Sequence, residues 1–141
     1  MKTLTPEQFQ LVVEKCDGSA LDAVWEMFSP VHQSWTNFPA HIICDFDSRR
    51  WMFLWVLEKL LLEGHIKLHK SCVFLETSIA EQVEAFREAF PVSEKDADEK
   101  CTKLGAKPAY EGVGMSVWWF LDICPAGAAW RQADGSYAIA D

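Results

Sequence analysis

The chain has 141 residues, 50% of them hydrophobic and 24% charged, the composition of one ordinary globular domain over 1–141 and not of a disordered segment. Thirteen Lys and Arg against 21 Asp and Glu give a formal net charge of −8, the wrong sign for a nucleic-acid binder or for adhesion to an anionic membrane and the right one for a basic protein partner. No apolar stretch is long enough to span a bilayer and the opening MKTLTPEQFQ lacks the apolar core of a signal peptide, so a cytoplasmic chain is expected.

The first predicted element is a helix from Pro6 to Asp17. Thr5 supplies the N-cap hydroxyl, Pro6 the first helical position and Gln8 the returning side chain of a capping box; Phe9, Val12, Val13 and Cys16 recur at helical spacing and Gly18 is the stop. Ser19 is expected to cap a second helix with Leu21, Val24, Trp25 and Phe28 on one stripe, ended by Pro30 and paired with the first as a hairpin. Residues 30–46, with Pro30, Asn37 and Pro39 and no sustained period, read as an irregular connection.

Asp47 is expected to cap a third helix, apolar nearly all round from Trp51 to Leu62 and therefore central, with Gly64 as its stop. The alternation of His65-Ile66-Lys67-Leu68-His69 permits a short strand, with a less regular continuation through Cys72-Val73-Phe74-Leu75. Ser78 and Glu81 form a capping box in front of Ile79, Val83, Phe86 and Phe90, and Pro91 breaks that helix. Ser93 is expected to cap a peripheral helix with the thin apolar face Ala97, Cys101 and Leu104, leaving at Gly105. The apolar run Val117–Leu121 fits a buried strand or a buried helix equally. Asp134-Gly135 predicts a C-terminal β-hairpin on a two-residue turn, pairing Trp130 with Ile139 and Gln132 with Tyr137. The sum is an α+β fold, mostly helical, with a C-terminal hairpin.

Several groups of residues carry possible chemistry. Ile42-Ile43-Cys44-Asp45-Phe46-Asp47-Ser48 resembles the strand-then-D-x-D opening of haloacid dehalogenase-type phosphotransferases, in which one Asp is the nucleophile. That family also requires a doubly wound sheet and a later acidic pair, which the following Trp-rich helix does not supply, so Asp47 is read as a cap and Asp45 as a partner of Arg49 or Arg50. His65, His69 and Cys72, and separately His32, His41 and Cys44, carry zinc-type ligands without a fourth member. Gly112-Val113-Gly114 lacks the third glycine of a dinucleotide loop, and Ser116 is not framed as a nucleophile elbow. No metal or cofactor is expected and no catalytic residue is assigned.

Five widely spaced cysteines, Cys16, Cys44, Cys72, Cys101 and Cys124, contain no C-x-x-C pair and read as reduced, mostly shielded core thiols. Trp25, Trp51 and Trp55 fall on core stripes, whereas Trp35, Trp118, Trp119 and Trp130 leave an aromatic small-molecule pocket open as a second reading.

Charge layout is the most informative feature. Residues 76–99 hold eight acidic and two basic side chains, while residues 100–141 hold four of each. Glu81, Glu84 and Glu88 share a helix face opposite the apolar stripe, and Glu94, Asp96, Asp98 and Glu99 extend the acidity, predicting an anionic partner-binding ridge.

The stretch Ile123-Cys124-Pro125-Ala126-Gly127, then Trp130 and Asp134-Gly135, with Tyr110 to Trp119 before it, resembles a small uncharacterised family of short bacterial proteins, some of which look like immunity proteins of contact-dependent growth-inhibition toxin systems. The resemblance implies a non-enzymatic cytosolic protein that neutralises one cognate toxin domain, often a basic nuclease. The charge layout agrees, because clustered carboxylates complement a cationic cleft and speed encounter.

Overall fold

The computed structural model describes residues 3–103 and 114–140. Leu104, Gly105, Tyr110, Gly112 and Val113, for which expectations are given above, lie outside the described residues, as do the side chains of Ser116, Val117 and Trp118.

Helix α1 (Pro6–Cys16) starts as its sequence dictates: the Thr5 amide donates to Gln8 Oε1 at 2.8 Å and the Gln8 amide donates to Thr5 Oγ1 at 3.1 Å. Helix α2 (Leu21–Glu26) buries Leu21, Val24 and Trp25. Its cap differs from expectation. The helix begins one residue later than expected, after Ala20 and without a side-chain cap, and the Ser19 carbonyl accepts from Trp130 Nε1 at 2.7 Å, tying the start of α2 to the far end of the chain. The connection that follows is more ordered than its prolines suggest: a 3₁₀ turn (Pro30–His32) leads into α3 (Gln33–Thr36) and α4 (Ala40–Ile43).

Helix α5 (Phe46–Leu62) is the central helix. Its cap is Asp45, not Asp47: the Ser48 amide donates to Asp45 Oδ1 at 2.7 Å, and Asp47 sits in the first turn, 3.9 Å from Arg50. Starting two residues early places the Phe46 ring in the helix, where it packs 5.4 Å from Trp25 and 6.2 Å from Phe90. An N-cap of this kind contributes about 1 kcal/mol. The capping bonds hold the Asp45 carboxyl below its ordinary pKa.

Four strands form one antiparallel sheet in the order β2-β1-β3-β4, made of β1 (Ile66–Lys70), β2 (Val73–Phe74), β3 (Gly127–Arg131) and β4 (Tyr137–Ile139). The C-terminal hairpin is present with its register moved by one: Trp130 faces Ala138, Ala129 faces Ile139 and Arg131 faces Tyr137. The loop holds three residues, because Gly135 takes a left-handed φ of +88° and the Gln132 amide reaches past it to the Ser136 carbonyl at 2.7 Å.

Helix α6 (Ile79–Ala89) lies on α5 through buried Val83 and Phe86, and α7 (Glu94–Lys103) follows. Ala97 and Cys101 of α7 are fully buried and the helix packs on the segment Gly114–Ile123, so it is an integral element and not a peripheral one. The apolar run that sequence left undecided is a π-helical segment (Gly114–Ile123), closed by the Cys124 amide donating to the Trp119 carbonyl at 2.8 Å. Trp119 and Phe120 enter an aromatic cluster with Trp25, Phe53, Phe86 and Phe90. The fold is α+β and mostly helical, and among the described residues no helix is long and apolar enough to cross a membrane.

Candidate functional site

The acidic residues predicted to form one ridge fall into two groups. On α6, Ser78 accepts from the Glu81 amide at 3.1 Å, and the Glu81 carboxylate meets the Ser78 hydroxyl at 3.1 Å without returning to the cap amide. Glu81, Glu84 and Glu88 are all exposed, opposite Val83 and Phe86. Glu84 pairs with Arg87 one turn on, and Glu88 has no ion-pair partner among the described residues.

The acids of α7 are more engaged with the fold. The Asp96 amide donates to the Ser93 hydroxyl at 3.0 Å, and the Asp96 carboxylate accepts from the Val92 amide at 3.0 Å and pairs with Lys100 at 3.2 Å. Glu94 turns to Arg49, with Oε1 3.6 Å from Nη1. Asp98 is partly buried and Glu99 exposed. The solvent-facing part of the expected ridge is therefore α6 together with Glu99. On α7, acids at the first turn also complement the helix dipole.

Arg49, expected as a partner of Asp45, faces Glu94 instead, and Arg50 pairs with Asp47. The Arg49 guanidinium carbon sits 4.3 Å from the centre of the Trp25 ring and its Nε is buried without a hydrogen-bond partner. Burial lowers its pKa, opposed by Glu26 and Glu94. The Glu26 carboxyl is raised, chiefly by its own burial and against the pull of Arg49. A cleft of about 510 Å³ opens beside this group, lined by Cys44, Asp45, Arg49, Ser93, Glu94 and Lys95 among others. Residues 42 and 43 before it are helical, so the strand that a D-x-D nucleophile motif needs is not there.

The two loose His/Cys sets do not converge, and the described residues contain no group of three metal-type ligands. His32 Nδ1 accepts from Trp35 Nε1 at 3.2 Å. His65 lies against the Phe9 ring, and His69 is wedged so closely to Gly127 that a Cβ there would come within 2.9 Å of its Nε2. Trp25, Trp119 and Trp130 are buried core, Trp51 and Trp55 half-buried against it, and Trp35 is 43% exposed beside Val31 at 81%.

The cysteines divide more evenly than expected. Cys16 and Cys101 are buried and Cys124 half-buried, but Cys44 and Cys72 are exposed, Cys72 because it occupies the two-residue β1–β2 turn at a φ of +67°. Burial pushes the Cys16 thiol up to about 12 and the Cys124 thiol up to about 11. At about pH 8, two thiols are expected to react rapidly with a chromogenic disulfide and three only on unfolding. Labelling of Cys16 in the fast phase, read by peptide mass, contradicts this burial.

The fold has a solved counterpart: an uncharacterised protein conserved in bacteria, from Neisseria meningitidis, superposes with a TM-score of 0.60 at 21% identity, over 93% of this chain and 82% of that one. No curated protein matches. Residues 61–139 match the model of a protein family of unknown function, DUF596. That stretch holds all four strands, α6, α7 and the π-helical segment, more than half of the chain, and the chain belongs to this family.

Proposed function

We propose that this is a non-enzymatic binding protein of the immunity type, which neutralises a basic, nuclease-like toxin domain through the acidic face of α6. The observation that supports the reading is the placement of Glu81, Glu84 and Glu88 in solvent along one helix whose opposite face is fixed in the core by Val83 and Phe86. Carboxylates on a rigid element raise the encounter rate with a cationic cleft and reject acidic competitors. On α7, Glu99 is also exposed, while Glu94, Asp96 and Asp98 are partly buried. Exposed Trp35 and Val31 offer an apolar anchor of the type that carries affinity where charge sets rate.

The reading predicts that a pull-down from the native cell returns a basic toxin domain whose activity is lost in a stable complex with this protein. Full toxin activity in the presence of excess folded protein, with no complex on gel filtration, overturns it.

A further inference from the structure

A second cleft adjoins the first turn of α6. The C-terminal turn of α5, the inner side of β1, the chain after β2 and the start of α6 enclose about 480 Å³, a volume typical of small-ligand sites. Leu75 and Ile79 give it half-buried apolar surface, while Leu61, Ile66 and Leu68, which also border it, are themselves buried in the core. Every lining residue falls within the family-matched stretch 61–139.

The rim carries a cation. Lys67 Nζ stands 4.6 Å from the centre of the Tyr137 ring and 5.6 Å from that of Phe74, and both rings line the cleft. Tyr137 is itself fixed, its hydroxyl donating to the Gly64 carbonyl at 2.7 Å. Among the described residues no carboxylate lies within ion-pair distance of Lys67, although the protein carries a net charge of −8. The polar Gln82 at the back is already used, its Nε2 donating to the Thr77 carbonyl at 2.8 Å. The cleft thus offers an apolar interior, one ammonium held over its rim by two rings, and one carboxylate, Glu76, that disfavours an anion placed on its own side.

We propose that this cleft binds an amphipathic carboxylate, an aliphatic chain lying against the half-buried Leu75 and Ile79 with its carboxylate on Lys67. A cationic headgroup is rejected by Lys67, and a neutral one forgoes the ion pair with the ammonium. The site shares the first turn of α6 with the acidic face but is lined by Ile79 and Gln82 and not by Glu81, Glu84 or Glu88, and its occupancy does not require a toxin.

Decanoate below its micellar concentration is the probe, with decanol as its neutral counterpart, titrated against the intact chain by calorimetry and by the methyl NMR signals of Leu75 and Ile79. Decanoate is expected to saturate at one site and to bind about tenfold more tightly than decanol, the value of one charge-assisted contact. Lys67→Met should bring decanoate down to the affinity of decanol and leave decanol unchanged. Glu76→Gln should tighten decanoate, and Ile79→Trp should block both ligands. Equal binding of decanoate and decanol by the native protein, undiminished binding in Lys67→Met, or no saturable shift at Leu75 and Ile79 overturns the assignment. Lys67 is exposed, so its variant keeps the fold, and a circular dichroism melt checks this.

Discussion

Replacing Phe53 with Ala is expected to cost about 3–5 kcal/mol of folding stability, the largest effect of any single truncation considered. Phe53 is fully buried, and its ring lies 5.3 Å from Phe120, 5.6 Å from Phe90, 6.3 Å from Trp25 and 6.4 Å from Phe86. It joins α2, α5, α6 and the π-helical segment in one contact group, so the loss combines transfer of a large ring with a cavity whose walls are themselves rigid aromatics. Against a total stability of roughly 5–15 kcal/mol, that is enough to populate the unfolded chain. Leu62→Ala on the same helix provides the control: Leu62 is 65% exposed, and the change should stay within about 0.5 kcal/mol. Urea unfolding measures both. A Phe53→Ala cost no larger than that of Leu62→Ala contradicts the packing described.

Arg49→Leu is the second large effect. The substitution keeps an apolar stem against Trp25 but removes the cation that faces Glu26 and Glu94. A cost of roughly 2–3 kcal/mol is expected at neutral pH, less than for a fully buried pair because the Glu94 side chain is 42% exposed. The pH dependence has a definite sign. Glu26 already has its pKa raised in the folded state, so the stability linked to its proton is complete below the unfolded value and is lost as pH rises through the folded one. Without Arg49 the folded value rises further. The deficit of the variant should therefore be greatest near neutrality and shrink on acidification toward the ordinary glutamate range. Equal deficits at both ends, measured by urea unfolding, contradict the role given to Arg49.

Local signals were legible and distant ones were not. The Thr5 box, the Ser78 and Ser93 caps and the stripes of α1 and α6 depend on residues within a turn or two of each other, and they stand where the sequence puts them. The choice of Asp45 over Asp47 depended on where Phe46 finds its partners Trp25 and Phe90, which no window around the cap contains. Ser19 does not cap α2 because the helix starts one residue later, after Ala20. The hairpin slipped by one because Asp134-Gly135 serves a two-residue or a three-residue loop equally well in sequence.

The candidate sites show the same division. The amount of acidity in residues 76–99 is a matter of counting, but its partition into a solvent-facing α6 and a partly engaged α7 depends on Arg49 and Lys100. The cleft beneath Lys67 joins Leu61 to Tyr137 across the length of the sheet and has no local signature. Trp25 reads from sequence as a core residue, which it is, yet its second role as the platform for Arg49 required the fold.

The acidic face of α6 is the central claim, and charge reversal tests it most directly. Glu84→Lys with Glu88→Lys leaves the Ser78 cap and the buried stripe intact, with only a few tenths of a kcal/mol lost where residue 84 now opposes Arg87. Association of this double variant with the cognate basic domain, followed by stopped flow across a range of salt concentrations, should be slower than that of the native protein and nearly independent of salt, because exposed charges act on the encounter. An unchanged association rate with an unchanged salt slope, in a variant that melts like the native protein, contradicts the claim and moves the interface to Trp35 and Val31 or to the surface around Arg50.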